Sequence, residues 1–225
     1  MRWIERALAC AALAALPAAA QQSPAAPSAH FVVVLDAAHG GTDPGGRLAG
    51  GQPEKAATLA LSVRLRSLLA ARGIAVVTTR ESDTTLDPNS RAAIANHAKA
   101  QVCLSLHVSE SGSGVHLFVS SLAPAQSSLF LPWKTAQAAW VTRSLALAGA
   151  LNASLQHAGL NVTLGRTSLP GLDSMTCPAV AVELAPERAQ DGTVTAEPDD
   201  ADYRAKAAAA LAAAVLEFRL EPRQP

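Results

Sequence analysis

The chain has 225 residues, 49% of them hydrophobic and 16% charged, and its 18 basic and 18 acidic side chains cancel to a formal net charge of zero. That size suits one domain with a real core, and the balance excludes both a disordered chain and a membrane bundle. With no Lys/Arg block and only 4% aromatic residues, no nucleic acid partner is expected, because neither a phosphate-tracking surface nor a base-stacking platform is present.

The first twenty residues read as an address. Arg2 and Arg6 precede the apolar run from Ala7 to Leu16, and Pro17-Ala18-Ala19-Ala20 offers the small residues that a signal peptidase accepts. The run is too short to span a bilayer comfortably, so no stable membrane insertion is expected after signal removal. Residues 1–20 are expected to be a signal peptide, 21–29 a flexible Pro/Ala/Ser-rich leader, 30–220 the folded domain and 221–225 a tail. The protein is expected in the periplasm or outside the cell. Cys10 leaves with the signal, and Cys103 and Cys177 remain in an oxidising compartment. A bridge between them and two separately buried thiols fit the sequence equally well.

Phe31 to Asp36 (FVVVLD) is a β-branched apolar run of the kind that fills a strand covered on both faces. A Gly-rich stretch follows, and a helix is expected from about Pro53 to Arg72, with Leu61, Leu65, Leu68 and Leu69 at helical spacing and Gly73 as its stop. Ile74 to Thr78 reads as a second strand, and Asn89 as the cap of a helix over Ser90 to Lys99. Val102 to Leu106 and Val115 to Val119 read as the third and fourth strands. A longer helix is expected over Thr135 to His157, with Leu145, Ala148, Leu151 and Leu155 facing the core. Ala179 to Leu184 (AVAVEL) is another buried strand, Asp191 to Pro198 an exposed loop, and Asp200 opens an Ala-rich closing helix through Phe218. The alternation predicts a single-domain α/β fold, a mainly parallel (mixed) twisted sheet with helices on both faces.

Sites in such folds gather beyond the carboxyl ends of the strands. His39 lies just past the first strand, His107 directly follows the third, Glu183 ends the last long strand, and Glu54 begins the helix that returns from the same edge. Two histidines and a carboxylate from three elements suit a catalytic zinc ion with one position left open. A further carboxylate must then move the proton, and Glu183, in an apolar strand where burial would raise its pKa, suits that task. The plainer reading stays open at this point: structural histidines, and a Glu54 that complements a helix dipole.

The run VVVLDAAHGGTDPGG followed by PEKAATLAL resembles the opening of the zinc-dependent N-acetylmuramoyl-L-alanine amidases of the Amidase_3 family. TTRESD…SRAAIANHAKA, CLSLH, CPAVAVEL and YRAKAAAALAAAV resemble that family's later segments in the same order, so the similarity spans roughly residues 31 to 219. The resemblance implies that His39, Glu54 and His107 bind Zn2+ and that Glu183 is the catalytic acid/base. The implied reaction is hydrolysis of the bond between N-acetylmuramic acid and L-alanine in peptidoglycan. Departures from the pattern are Ala37-Ala38 in place of Pro-Gly, Ser109 in place of Asn, and Leu184-Ala185-Pro186-Glu187-Arg188 after the last strand. The connection from Ser120 to Lys134 is too short for the helical insert that blocks the site in some relatives, so the site is expected to be either open by default or controlled differently. An activator protein is possible but not implied. Asp36 is expected either to orient a ligand histidine or to make a structural hydrogen bond. Arg80, Asp83 and Arg91 are expected to form a structural ion-pair set, Lys55 to be solvated, and Trp133 and Trp140 to pack in the core or line a sugar rim. His30, His97, His116 and His157 are expected to be ordinary. An exported zinc metallopeptidase and a non-catalytic peptidoglycan-binding protein are the alternatives.

Overall fold

The computed structural model describes residues 31–125 and 131–220. The expected signal peptide, leader and tail, with Cys10 and His30, lie outside the described residues. Six strands form one sheet in the order β2-β1-β3-β6-β4-β5: β1 (Val32–Ala37), β2 (Ala75–Thr78), β3 (Val102–Val108), β4 (Val115–Ser120), β5 (Val162–Thr167) and β6 (Ala179–Leu184). β1 pairs in parallel with β2 and β3, and β3 with β6, whereas β4 runs antiparallel to β6 and parallel to β5. The sheet is therefore mixed and mainly parallel, as the alternation of elements predicts.

Side-chain alternation divides the strands between two cores. Val33, Leu35, Leu104, Leu106, Val180 and Val182 face one side. There they meet helices α1 (Glu54–Ala70), α3 (Val141–His157) and α4 (Ala201–Leu220). Val34, Cys103, Ala179 and Ala181 face the other side, under α2 (Pro88–His97) and the short 3-10 turn Leu172–Ser174. α1 buries Ala57, Leu61, Leu65 and Leu69 at the expected spacing, while Leu68 packs at the margin. Among the described residues no helix is long and apolar enough to cross a membrane.

Several boundaries differ from expectation for identifiable reasons. α2 is capped by Asp87, not Asn89: its Oδ1 accepts from the N–H groups of Asn89 and Ser90, and Pro88 takes the first helical position. The long helix before Gly159 is broken, with a 3-10 segment over Trp133–Ala139 and α3 starting only at Val141. Its inner face carries Leu147, Ala148, Leu151 and Leu155, and Leu145 is 44% exposed. β5 was not expected, because Val162 to Thr167 is a sheet edge with polar and glycine positions in place of an apolar run. The expected loop over 191–198 contains β8 (Val194–Ala196), which pairs with β7 (Glu187–Arg188). The described part of the connection after Ser120 holds no helix before Trp133.

The choice left open for the two cysteines resolves as a bridge. Cys103 on β3 and Cys177, just ahead of β6, are disulfide-bonded across 74 residues of chain, and both are buried. Closing a loop of that size constrains the unfolded chain by about 2–4 kcal/mol. Cys177→Ser is therefore expected to lower the melting temperature by several degrees in non-reducing buffer. Under a reductant strong enough to open the bridge, wild type should fall to the variant's value; a wild type indifferent to reduction would contradict the bridge's contribution.

Candidate metal centre

β1 ends at Ala37 with the chain turning sharply at the rim of the sheet. His39 sits in the left-handed region at φ 61°, uncommon for a side-chain-bearing residue. Two arginines hold it there. Arg91 donates from Nη1 to Asp36 Oδ1 and to Ala37 O, both at 2.7 Å, and from Nη2 to His39 O at 2.6 Å. Arg80 donates from Nε to Ala37 O and from Nη2 to Ala38 O and Lys55 O. The Ala37-Ala38 departure is thus accommodated by backbone carbonyls that are all engaged, which is how a strained site conformation persists.

The expected ion-pair set of Arg80, Asp83 and Arg91 is not one set. Arg91 pairs with Asp36, Arg80 binds carbonyls, and Asp83 pairs with Lys55 at 2.6 Å. Lys55 is therefore a brace and not a solvated side chain: it also donates to Gly41 O, while Gly41 N–H donates to Asp83 Oδ1. Together these bonds tie the loop after His39 to the loop after β2.

Glu54 opens α1 directly beneath this turn. Its Oε2 lies 3.0 Å from His39 Nε2 and its Oε1 lies 3.1 Å from His107 Nδ1. Backbone N–H groups of Gly46 and Val108 donate to the same two oxygens. His107 comes from the carboxyl-terminal end of β3, and its ring meets that of His39 edge-on with centroids 5.6 Å apart. Ligand-type atoms of His39, Glu54 and His107 all lie within 4.8 Å of one another. Gly45 makes the approach possible: at φ 67° a Cβ there would stand 2.6 Å from His39 Cδ2 and 2.7 Å from Glu54 Oε2.

Burial opposes ionisation of Glu54. Hydrogen bonds from His107 and His39 and from the Gly46 N–H outweigh it, and hold the carboxyl well below the usual range. The hydrogen bond to Glu54 raises the pKa of His39 against its partial burial, with Asp43 adding to the effect. Asp43 Oδ2 stands 2.8 Å from His39 Nδ1, and this contact pulls the Asp43 carboxyl down. Asp43 was not singled out from the sequence. Its signal was its place in the turn four residues after His39, where a carboxylate reaches back to the ring.

Ser105 stands between Asp36 and His107. Asp36 accepts from Thr79 Oγ1, Arg91 and Ser105 Oγ, and Ser105 Oγ lies 3.5 Å from His107 Nε2. Glu183 is the penultimate residue of β6, in direct register with His107 and on the same face of the sheet. Full burial of Glu183 is not found, since its side chain is 31% exposed. His116, expected to be ordinary, is its partner: Nδ1 lies 3.0 Å from Glu183 Oε1. A cavity of about 180 Å³ opens beside the histidines, with Leu86, Pro88, Leu169 and Met175 on its apolar wall. Trp133 and Trp140 do not line it; they border a separate cavity with Asn96 and Thr176.

Comparison with known proteins agrees with this architecture. The chain is 34% identical over 105 residues to the germination-specific N-acetylmuramoyl-L-alanine amidase of Bacillus subtilis (strain 168), a match over 39% of this chain and 44% of that protein. It is 34% identical over 102 residues to N-acetylmuramoyl-L-alanine amidase AmiA of Escherichia coli (strain K12), over 44% and 35% of the two chains. The matches thus span less than half the length of either relative. Among solved structures, the catalytic domain of CwlV, an N-acetylmuramoyl-L-alanine amidase from Bacillus (Paenibacillus) polymyxa var. colistinus, superposes with a TM-score of 0.65 at 25% identity, covering 84% of this chain and 98% of that one. The apo form of Ami1 from Mycobacterium abscessus shares the fold at 24% identity, with a TM-score of 0.67 over the same shares. The model of the Amidase_3 family, N-acetylmuramoyl-L-alanine amidase, matches residues 33–217. From within β1 into α4, the chain belongs to the Amidase_3 family of N-acetylmuramoyl-L-alanine amidases.

Proposed function

We propose that the protein hydrolyses the amide joining N-acetylmuramic acid to L-alanine in peptidoglycan, using Zn2+ held by His39, Glu54 and His107 and Glu183 as the acid/base. The observation that carries this reading is the convergence of the three donors at the sheet rim, beside Glu183 on the adjoining strand. The donor set fits the ion. Two imidazoles and one carboxylate are a catalytic zinc set, and Glu54 is held ionised with one oxygen toward each ring. Asp43 accepts from His39 Nδ1–H, which leaves the Nε2 lone pair available. Ser105 donates to Asp36, so its free lone pair faces His107 Nε2 and leaves Nδ1 as that residue's ligand atom.

When bound, zinc supplies Lewis acidity that polarises the scissile carbonyl and makes a water reactive at neutral pH. Glu183 takes a proton from that water as its oxygen bonds to the lactyl carbonyl carbon. It then delivers the proton to the alanine nitrogen as the C–N bond breaks, which leaves a carboxyl group on the glycan side and a free amine on the peptide. Partial exposure suits Glu183 to this role, because the substrate must reach it. Peptidoglycan lies outside the cytoplasmic membrane, which supports residues 1–20 as a cleaved export signal, 21–29 as a leader and 30–220 as the catalytic domain.

Purified protein is expected to carry about one zinc per chain, in keeping with a single three-ligand site. Removing the metal with a chelator should abolish peptide release from peptidoglycan, and stoichiometric zinc should restore it. Full activity in a metal-free preparation would overturn the zinc assignment.

A further inference from the structure

β4 is the strand that breaks the parallel order, and this reversal brings His116 to Glu183. In the antiparallel pair of β4 and β6, His116 stands directly opposite Glu183, on the same face of the sheet. Its Nδ1 is 3.0 Å from Glu183 Oε1. The other ring nitrogen is anchored as well: Nε2 lies 3.4 Å from the Ser113 N–H and 3.2 Å from the Ser113 carbonyl oxygen. Gly112, at φ 92°, packs so closely that a Cβ there would stand 2.3 Å from the ring's Cε1. The ring of Phe118 closes the next position along β4, edge-on to the imidazole at 6.2 Å. The imidazole is therefore fixed on both nitrogens and on its sides, and its side chain is 17% exposed against 31% for Glu183.

We infer that His116 is a positioning residue for the acid/base Glu183, an inference that rests on the catalytic reading of that carboxylate. With Glu183 ionised, Nδ1–H donates to Oε1, and Nε2 accepts from the Ser113 N–H. The bond occupies Oε1 and leaves Oε2 as the oxygen that receives the proton from water and returns it to the leaving nitrogen. His116 keeps its Nδ1–H through both steps. Its contribution is orientation: a carboxylate on a partly exposed side chain would otherwise sample rotamers, and a misplacement of about 1 Å can cost roughly a hundredfold in rate. Ser113 presents both a donor and an acceptor to Nε2, and these contacts hold the ring in place.

The test uses the full chain, with turnover of a soluble N-acetylmuramoyl-peptide and zinc content measured for each variant. His116→Ala is expected to lower kcat at least tenfold, with KM within about twofold of wild type and zinc retained. In His116→Asn the amide nitrogen takes the place of Nδ1, and most of the rate should return. His116→Gln places its amide nearer the Nε2 position and should not rescue. An unchanged kcat in His116→Ala, or equal rates for the Asn and Gln variants, overturns the inference. If His116→Ala does not fold, the Asn/Gln comparison decides alone. Glu183→Gln, run in parallel, separates the two claims: an active Glu183→Gln protein removes the acid/base reading itself, whereas an inactive one beside an unimpaired His116→Ala removes only the role of His116.

Discussion

Glu183→Gln is expected to lower peptide release by about 10²–10⁴-fold, the usual contribution of a general acid/base, while zinc remains bound. The glutamine amide has the size of the carboxylate and can still accept from His116 Nδ1–H through its oxygen. It cannot take a proton from water or return one to the amine. Glu183 is 31% exposed and is not among the three clustered donors, so the swap opens no cavity and removes no ligand. Its stability cost should stay within about 0.5 kcal/mol, as for a substitution near the surface. Zinc analysis and a melting curve run beside the digestion would show a loaded, folded and inactive protein. Activity within threefold of wild type would sink the assignment.

The second large effect belongs to Glu54. Glu54→Ala removes the one carboxylate that faces both imidazoles, and strands the Gly46 and Val108 N–H donors that now point at it. Zinc content is expected to fall to a small fraction of wild type, and peptide release with it, by at least the roughly 100-fold that weakening a metal site causes. The Val108 N–H, left in a buried place, costs about 1–3 kcal/mol, whereas Gly46 is exposed and its N–H can turn to water. The metal-free wild type should show the opposite face of the same residue. Because the folded-state pKa of Glu54 is depressed from its ordinary 4.5, its stabilising contribution is full above that value and fades as the pH falls through the folded-state pKa. The raised pKa of His39 works the other way, stabilising below 6.5 and fading as the pH rises through its folded value. The metal-free wild type should therefore lose stability toward acid more steeply than metal-free Glu54→Ala. Urea titrations at pH 3 and pH 6 on both proteins test this, and parallel slopes would contradict it.

Much of this site was legible before the structure, because topology alone sends the ends of β1, β3 and β6 to one rim and α1 back from it. His39, Glu54, His107 and Glu183 are read from that rule, and the three apolar strand runs that carry it are unambiguous. What was not legible depends on cross-strand pairing and local turns. His116 looked ordinary because its partner is 67 residues away, and only the antiparallel pairing of β4 with β6 brings them together. Asp43 was hidden in a turn that reads as generic Gly/Pro chemistry. Leu145 is outward because the buried face of α3 runs through Val141, Ser144, Ala148, Leu151 and Leu155, and a residue next to Ser144 stands about 100° round the helix from it. β5 lacked an apolar run because an edge strand has one side in water. The cysteines could be paired only once β3 and β6 were known to be neighbours.

The most direct test of the account is mass spectrometry of the products released from purified peptidoglycan by the zinc-loaded protein. The account predicts stem peptides that begin with a free L-alanine amine, and glycan strands that retain intact N-acetylmuramic acid with its lactyl carboxyl exposed. New amino termini within the stem peptide, with the alanine still joined to muramic acid, would contradict it and place the zinc site in a peptidase.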